Sequence, residues 1–210
     1  MDLLFSKLDA VMPLAEFRVV LDVGANVGAM TGGYLDHFPQ SRVWAFEPIA
    51  ATCARLRARF AGHPRVMVVQ AALGAESGRA LMRVTRDSVG CWIEEGAALD
   101  NDHESVALET GDAFLADAGL SHVDFLKIDT EGHDLKVLHG FAGALRRKAI
   151  RFLQVEAGMN ATNRRHVPLH EFQQFLEPLG YHIFRIFHQS PELGGRRILR
   201  RADVVFCHEG

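Results

Sequence analysis

Short apolar runs separated by stretches of helical period extend through this chain of 210 residues, and that alternation restricts it to a parallel sheet flanked by helices. The runs are FRVVLDVG (17–24), RVWAFE (42–47), RVMVVQAAL (65–73), HVDFLKID (122–129), IRFLQVE (150–156), YHIFRIFH (181–188) and ADVVFCHE (202–209). Between the first two, Val27, Met30, Thr31, Tyr34, Leu35 and Phe38 recur at helical spacing, so one face of that segment packs on the sheet. CARLRARF (53–60) and PLHEFQQFLEPLG (168–180) predict further helices, as does the stretch from Asp134, which Gly140 ends in a left-handed conformation. Residues 74–122 break the rhythm. Glycine and serine separate short β-prone pieces there, which predicts a hairpin and irregular loop, followed by a strand at SVALET and a short helix at DAFLADAGL. The expectation is one α/β domain over residues 1–210, with 74–122 as an insertion that, together with 158–168, shapes a substrate pocket.

The first strand runs into LDVGANVGAM. Gly24 and Gly28 do not have the GxGxxG spacing of a dinucleotide fold. Gly24 permits a tight turn close to a ligand, Gly28 lets the next helix approach the strand, and the amides of that helix's first turn suit a carboxylate. Asp22 is expected at the strand's end, where it accepts hydrogen bonds from an ammonium. The second strand ends in AFEP, placing Glu47 about twenty residues beyond the loop, the position from which an acid receives two ribose hydroxyls in nucleotide-binding α/β folds. The bland alternative makes the glycines a turn and Glu47 a helix N-terminal acid before Pro48.

DVGANVG, then FEP, then DFLKIDTEGHDLKVLHG together resemble the FkbM family of class I S-adenosylmethionine-dependent methyltransferases. The resemblance implies a Rossmann-like seven-stranded, mostly parallel sheet closed by an antiparallel C-terminal edge hairpin. It implies O-methylation of a hydroxyl on a sugar, polyketide or related metabolite. It also implies that Gly24, Ala25, Asn26 and Gly28 line the methionine end of S-adenosylmethionine, that Glu47 holds the ribose, and that Gln70, Ala71 and Ala72 border the adenine.

Asp129 ends the fourth run and Glu156 the fifth, and ligands of open α/β sheets sit beyond such strand ends. Three readings of DTEGHD stay open. In the first it is a solvated turn with Asp134 as a helix N-terminal acid. In the second, Asp129 or Glu131 binds the acceptor hydroxyl or the cofactor's ammonium, and His133 is the base. In the third, which is not preferred, Asp129 and Glu156 hold Mg²⁺. Asp129, Glu131 and His133 are the catalytic candidates, and metal ligands stay unassigned. Arg164 and Arg165 read as solvated surface. His166 and His170 are weaker candidates because Pro168 between them marks a loop-to-helix junction.

A net charge of −3 gives no reason to expect nucleic acid or an anionic membrane as partner. The basic run of Arg196, Arg197, Arg200 and Arg201 reads as a solvated strand face. Cys53, Cys91 and Cys207 form neither a disulfide framework nor a CxxC site, which points to a reducing compartment. MDLLFSKLDAVM has neither a cleavage pattern nor a spanning length of apolar residues, so a cytoplasmic, soluble protein is expected. An NAD-dependent oxidoreductase is disfavoured by the glycine spacing. A non-catalytic partner protein that keeps the cofactor pocket is the remaining alternative, and oligomeric state is left open.

Overall fold

Two runs, Val19–Val23 and Val123–Ile128, are buried at every residue and lie side by side, in parallel, at the centre of a seven-stranded sheet. Continuous burial is what a parallel strand covered on both faces requires. A computed structural model describes residues 3–85, 91–94, 96, 98–192, 194 and 197–209. In chain order its elements are α1 (Leu3–Asp9), β1 (Val19–Val23), α2 (Ala29–His37), β2 (Arg42–Phe46), α3 (Ala50–Arg59), β3 (Val66–Val69), β4 (Ala72–Leu73), β5 (Gly78–Arg83), β6 (Trp92–Ile93) and β7 (His103–Glu109). They continue with α4 (Gly111–Asp117), β8 (Val123–Ile128), α5 (Asp134–Gly140), α6 (Ala142–Arg146), β9 (Ile150–Gly158), α7 (Leu169–Leu176), β10 (Tyr181–Pro191) and β11 (Leu199–His208).

The large sheet has the order β10-β11-β9-β8-β1-β2-β3. Its inner pairings are parallel, while β11 runs antiparallel to both β9 and β10, as the expected C-terminal hairpin demands. Alternate residues of each strand serve opposite layers. Leu21, Val23, Leu126, Ile128 and Leu153 pack against Phe114, Leu138, Phe141 and Phe172 from α4, α5, the α5–α6 junction and α7. Val20, Phe125, Phe152 and Val205 face Phe5, Leu8, Tyr34 and Phe38 from α1, α2 and the residue after α2. Asp124, a charged residue inside an apolar strand, is satisfied by the backbone amides of Arg18 and Val19 at 2.7 and 2.9 Å, which pins the start of β1 to β8. Among the described residues, no helix is long and apolar enough to cross a membrane.

Several expectations need correction. The run at 65–73 is two strands: β3 stays in the large sheet, and β4 leaves it to pair with β7. The insertion is more regular than the loop expected. Antiparallel β5 and β7, with β6 on β5, join β4 in a four-stranded sheet of order β4-β7-β5-β6. Residues 86–90, 95 and 97, within the expected irregular loop, lie outside the described residues. Gly140 is the last residue of α5 and not a left-handed cap; a Cβ there would lie 2.1 Å from the Gly74 carbonyl oxygen, so glycine is needed for a close approach.

Candidate active site

Three strand ends converge at the Gly24 turn. Gly24 has φ +82°, and a Cβ on it would sit 1.9 Å from the Asp129 carbonyl oxygen, so only glycine lets the β1 and β8 ends come this close. The amides of Gly24 and Ala25 donate to the Phe46 carbonyl at 3.1 and 2.9 Å, tying the same turn to β2. The chain then passes through Asn26, left-handed at φ 50°, whose amide donates to Glu47 Oε2 at 3.1 Å, while Ile49 N donates to Oε1 at 2.9 Å. Glu47 is thereby buried with each oxygen anchored once. Burial pushes its pKa above the ordinary carboxylate value, an effect the two amide bonds partly offset. Each anchored oxygen keeps acceptor capacity for a further donor.

A cleft of about 290 Å³ opens over these ends. Of the residues expected at a cofactor site, Gly24, Asn26, Glu47, Ala71 and Ala72 line it, and so do all three catalytic candidates, Asp129, Glu131 and His133. Phe46, Met82, Cys91 and Ile93 supply apolar wall, the last three from the insertion.

Four expected residues stand elsewhere. Asp22 does not end its strand; it is fully buried inside β1, where it accepts from Thr31 Oγ1 at 2.6 Å and lies 3.7 Å from Lys127 Nζ. Lys127 therefore occupies the role that a ligand ammonium was expected to fill. Ala25 packs with Ala45 and Leu56. Gly28, also outside the cleft lining, makes room for α3 and not for the strand: a Cβ would lie 2.4 Å from Phe60 Cε2 and 2.6 Å from Leu56 Cδ1. Gln70 is exposed and accepts from Arg57 Nη1 at 3.1 Å, because the chain leaves β3 there and turns the side chain outward.

The DTEGHD turn is organised from within. Asp134 is buried, and its carboxylate accepts from the amides of Gly132 and Thr130 at 3.1 and 3.4 Å. Burial and the neighbouring Asp129 charge push its pKa up to about 6. Glu131 takes the left-handed conformation at φ 56° and reaches Arg165 Nε at 2.7 Å, so Arg165 is an ion-pair partner and not merely solvated surface. Burial lowers the pKa of His133 below the ordinary histidine value, which keeps the ring neutral near pH 7. Among the described residues, His133 Nε2 and Thr130 Oγ1 have no hydrogen-bond partner. Both belong to residues of the cleft lining.

Sequence reasoning passed over Lys127 and gave His166 and Arg201 too little weight. Lys127 Nζ lies 3.1 Å from Asp129 Oδ2; burial alone would depress its pKa, but Asp129 and Asp22 together hold it above the ordinary lysine value. Its signal was present in DFLKID: a lysine in an otherwise apolar strand must find a counter-charge, and Asp129 two residues on shares its face. Glu156 is engaged at both oxygens, by His166 Nε2 at 2.6 Å and by Arg201 Nη1. Arg201 is thus a wall residue and not part of a solvated face, while Arg196 of the same run lies outside the described residues. With both Glu156 oxygens occupied, the residues do not fit an Asp129–Glu156 metal centre. No group of three or more His, Cys, Asp or Glu side chains is arranged to hold an ion among the described residues.

A family model described as the methyltransferase FkbM domain matches residues 22–183. No curated protein matches the chain significantly. Its fold is similar to that of precorrin-6y C5,15-methyltransferase from Geobacter metallireducens, at a TM-score of 0.55 and 15% identity, covering 98% of this chain and 85% of that one. Magnesium protoporphyrin IX methyltransferase from Synechocystis, solved with bound S-adenosylmethionine, gives a TM-score of 0.55 at 12% identity over 99% of this chain and 77% of that one. The fibrillarin pre-rRNA processing protein of Methanococcus jannaschii gives 0.55 at 14% identity over 95% and 70%. The architecture is the class I methyltransferase fold.

Proposed function

The chain belongs to the FkbM methyltransferase family, and from that premise we propose that it transfers a methyl group from S-adenosylmethionine to a hydroxyl oxygen of a sugar, polyketide or related small molecule. The observation that carries this reading is the meeting, in one cleft, of the twice-anchored Glu47 carboxylate with Asp129 and the unpartnered His133 Nε2 and Thr130 Oγ1. Those unpartnered atoms call for a polar ligand, since leaving them unpaired costs about 1–3 kcal/mol each. The residues fit the cofactor on these grounds.

When bound, the cofactor supplies an electrophilic methyl carbon. The chain's own groups do the rest. Glu47 accepts hydrogen bonds from the ribose hydroxyls, Ala71 and Ala72 border the base, and the Gly24–Asn26 turn holds the amino-acid end. Met82 and Ile93 supply apolar wall beside these polar groups. Asp129, its carboxylate steadied by Lys127, accepts a hydrogen bond from a second hydroxyl of the acceptor and so orients the reacting hydroxyl for in-line attack. Neutral His133 receives the hydroxyl proton at Nε2.

Isothermal calorimetry with S-adenosylhomocysteine tests the cofactor half: Glu47→Gln should weaken binding by about tenfold or more, and no wild-type binding at millimolar ligand would sink the reading. Transfer of a labelled methyl group to hydroxylated acceptors tests the other half, with His133→Gln lowering turnover by about a hundredfold or more.

A further inference from the structure

Asp129 and Arg201, which line the cleft, also line a second cavity of about 250 Å³, whose other polar walls include Lys127, Gln154, Glu156 and Asp203. It lies where the ends of β8 and β9 meet the β10–β11 hairpin. Charges there meet in pairs. Lys127 Nζ is 3.1 Å from Asp129, Arg201 Nη1 is on Glu156, and His188 Nδ1 is 2.8 Å from Asp203. An anion entering would face three carboxylates and a cation two fixed positive charges, so an uncharged guest has the lowest electrostatic cost.

Two wall residues carry atoms with no hydrogen-bond partner among the described residues: Gln154 Oε1 and Arg201 Nε. Gln154 is only 4% exposed, and its amide nitrogen is committed to Asp203 Oδ2 at 3.0 Å, so an amide flip that moved the oxygen would break that bond. One atom is an acceptor and the other a donor. A hydroxyl satisfies both kinds, because it donates one hydrogen bond and accepts others.

We propose that this second cavity is the acceptor compartment, that it takes an uncharged group bearing several hydroxyls, and that Gln154 and Arg201 determine which hydroxyl is turned towards Asp129. The proposal rests on the methyl-transfer reading. It moves acceptor recognition from the insertion at 74–122 and the segment 158–168, where the sequence suggested it, to β9 and the C-terminal hairpin. The other conceivable occupant is the zwitterionic end of the cofactor, and the experiment separates the two.

The full chain, saturated with S-adenosylhomocysteine, is titrated with neutral methyl glycosides, with sugar phosphates and with choline, while NMR follows the Gln154 side-chain amide. Neutral glycosides should shift that resonance and the charged probes should not. Gln154→Met should weaken glycoside binding by about tenfold while S-adenosylhomocysteine affinity changes less than twofold. His188→Ala, at a half-exposed side chain, serves as a second variant should the first fail to fold, and should weaken glycoside binding severalfold. Three results would overturn the proposal: no glycoside perturbing the amide, a charged probe preferred, or cofactor-product affinity falling as far as glycoside affinity. Failure of S-adenosylhomocysteine itself to bind would instead remove the methyl-transfer reading on which the proposal stands.

Discussion

The two sheets of this molecule are held by different forces. In the seven-stranded sheet, β1 and β8 are buried at every position and packed on both faces by large side chains. At the four-stranded sheet the buried cluster is Ala72, Met82 and Val106, packed with Ile49 from the start of α3, and β5 and β7 are mostly half-buried. What the small sheet lacks in apolar burial it supplements with charge. His103, its side chain 4% exposed, presents Nδ1 to Asp100 at 2.6 Å and Nε2 to Glu94 at 3.0 Å, with Arg83 3.4 Å from Glu94 and 3.6 Å from Asp102. Hydrophobic burial is indifferent to pH, whereas an imidazolium between two carboxylates is not. The rigid half of the cleft is therefore built on the first sheet, and the half that responds to conditions, carrying Met82, Cys91 and Ile93, on the second.

Perturbing each sheet in turn sharpens this contrast. Leu126→Ala, in the centre of β8, should cost about 3–5 kcal/mol and lower global stability in denaturant unfolding; a loss under about 1 kcal/mol would mean that the core there is looser than its burial implies. Gly24→Ala should cost about 2 kcal/mol or more, from the left-handed conformation and the contact with Asp129 together, and should abolish S-adenosylhomocysteine binding in calorimetry. Met82→Ala in the smaller cluster should cost about 2 kcal/mol, read as faster hydrogen exchange confined to β5 and β7; uniform loss of protection would show the two sheets to unfold as one.

The smallest effect is the one that depends on pH. Glu94 and then Asp100, by their hydrogen bonds, raise the His103 pKa above the ordinary histidine value. A raised histidine stabilises the fold fully below its unfolded pKa, and that contribution is lost as pH rises through the folded value. Exchange rates of β5 and β7 amides, corrected for intrinsic chemistry, should thus increase as pH is taken upward through the neutral range. His103→Gln should remove that dependence and leave β1 and β8 unaffected. An unchanged pH profile in the variant would dismiss the ionic clasp.

How much was legible beforehand varied with the range of the interaction. Gly24 and Glu47 were legible because the turn and the strand-end acid act through local backbone geometry and neighbouring strands. Asp22 and Gln70 were misplaced for a related reason. Which face a side chain takes depends on where the strand starts and stops, and the break between β3 and β4 moved Gln70 outward. Glu156 does not end its strand, because β9 continues to Gly158 in pairing with β11, and its freedom was misjudged as well, since His166 and Arg201 reach it from segments distant in sequence.

The sequence by itself determined the α/β alternation, the fold family and the acids at the strand ends, since period, glycine spacing and strand-terminal charge are properties of contiguous residues. Tertiary structure alone decided which of those acids remain available. Lys127 neutralises Asp22 and steadies Asp129, Arg165 takes Glu131, and His166 with Arg201 takes Glu156. Pairing of charges is governed by distance in space, and a buried carboxylate binds whichever cation the fold carries to it.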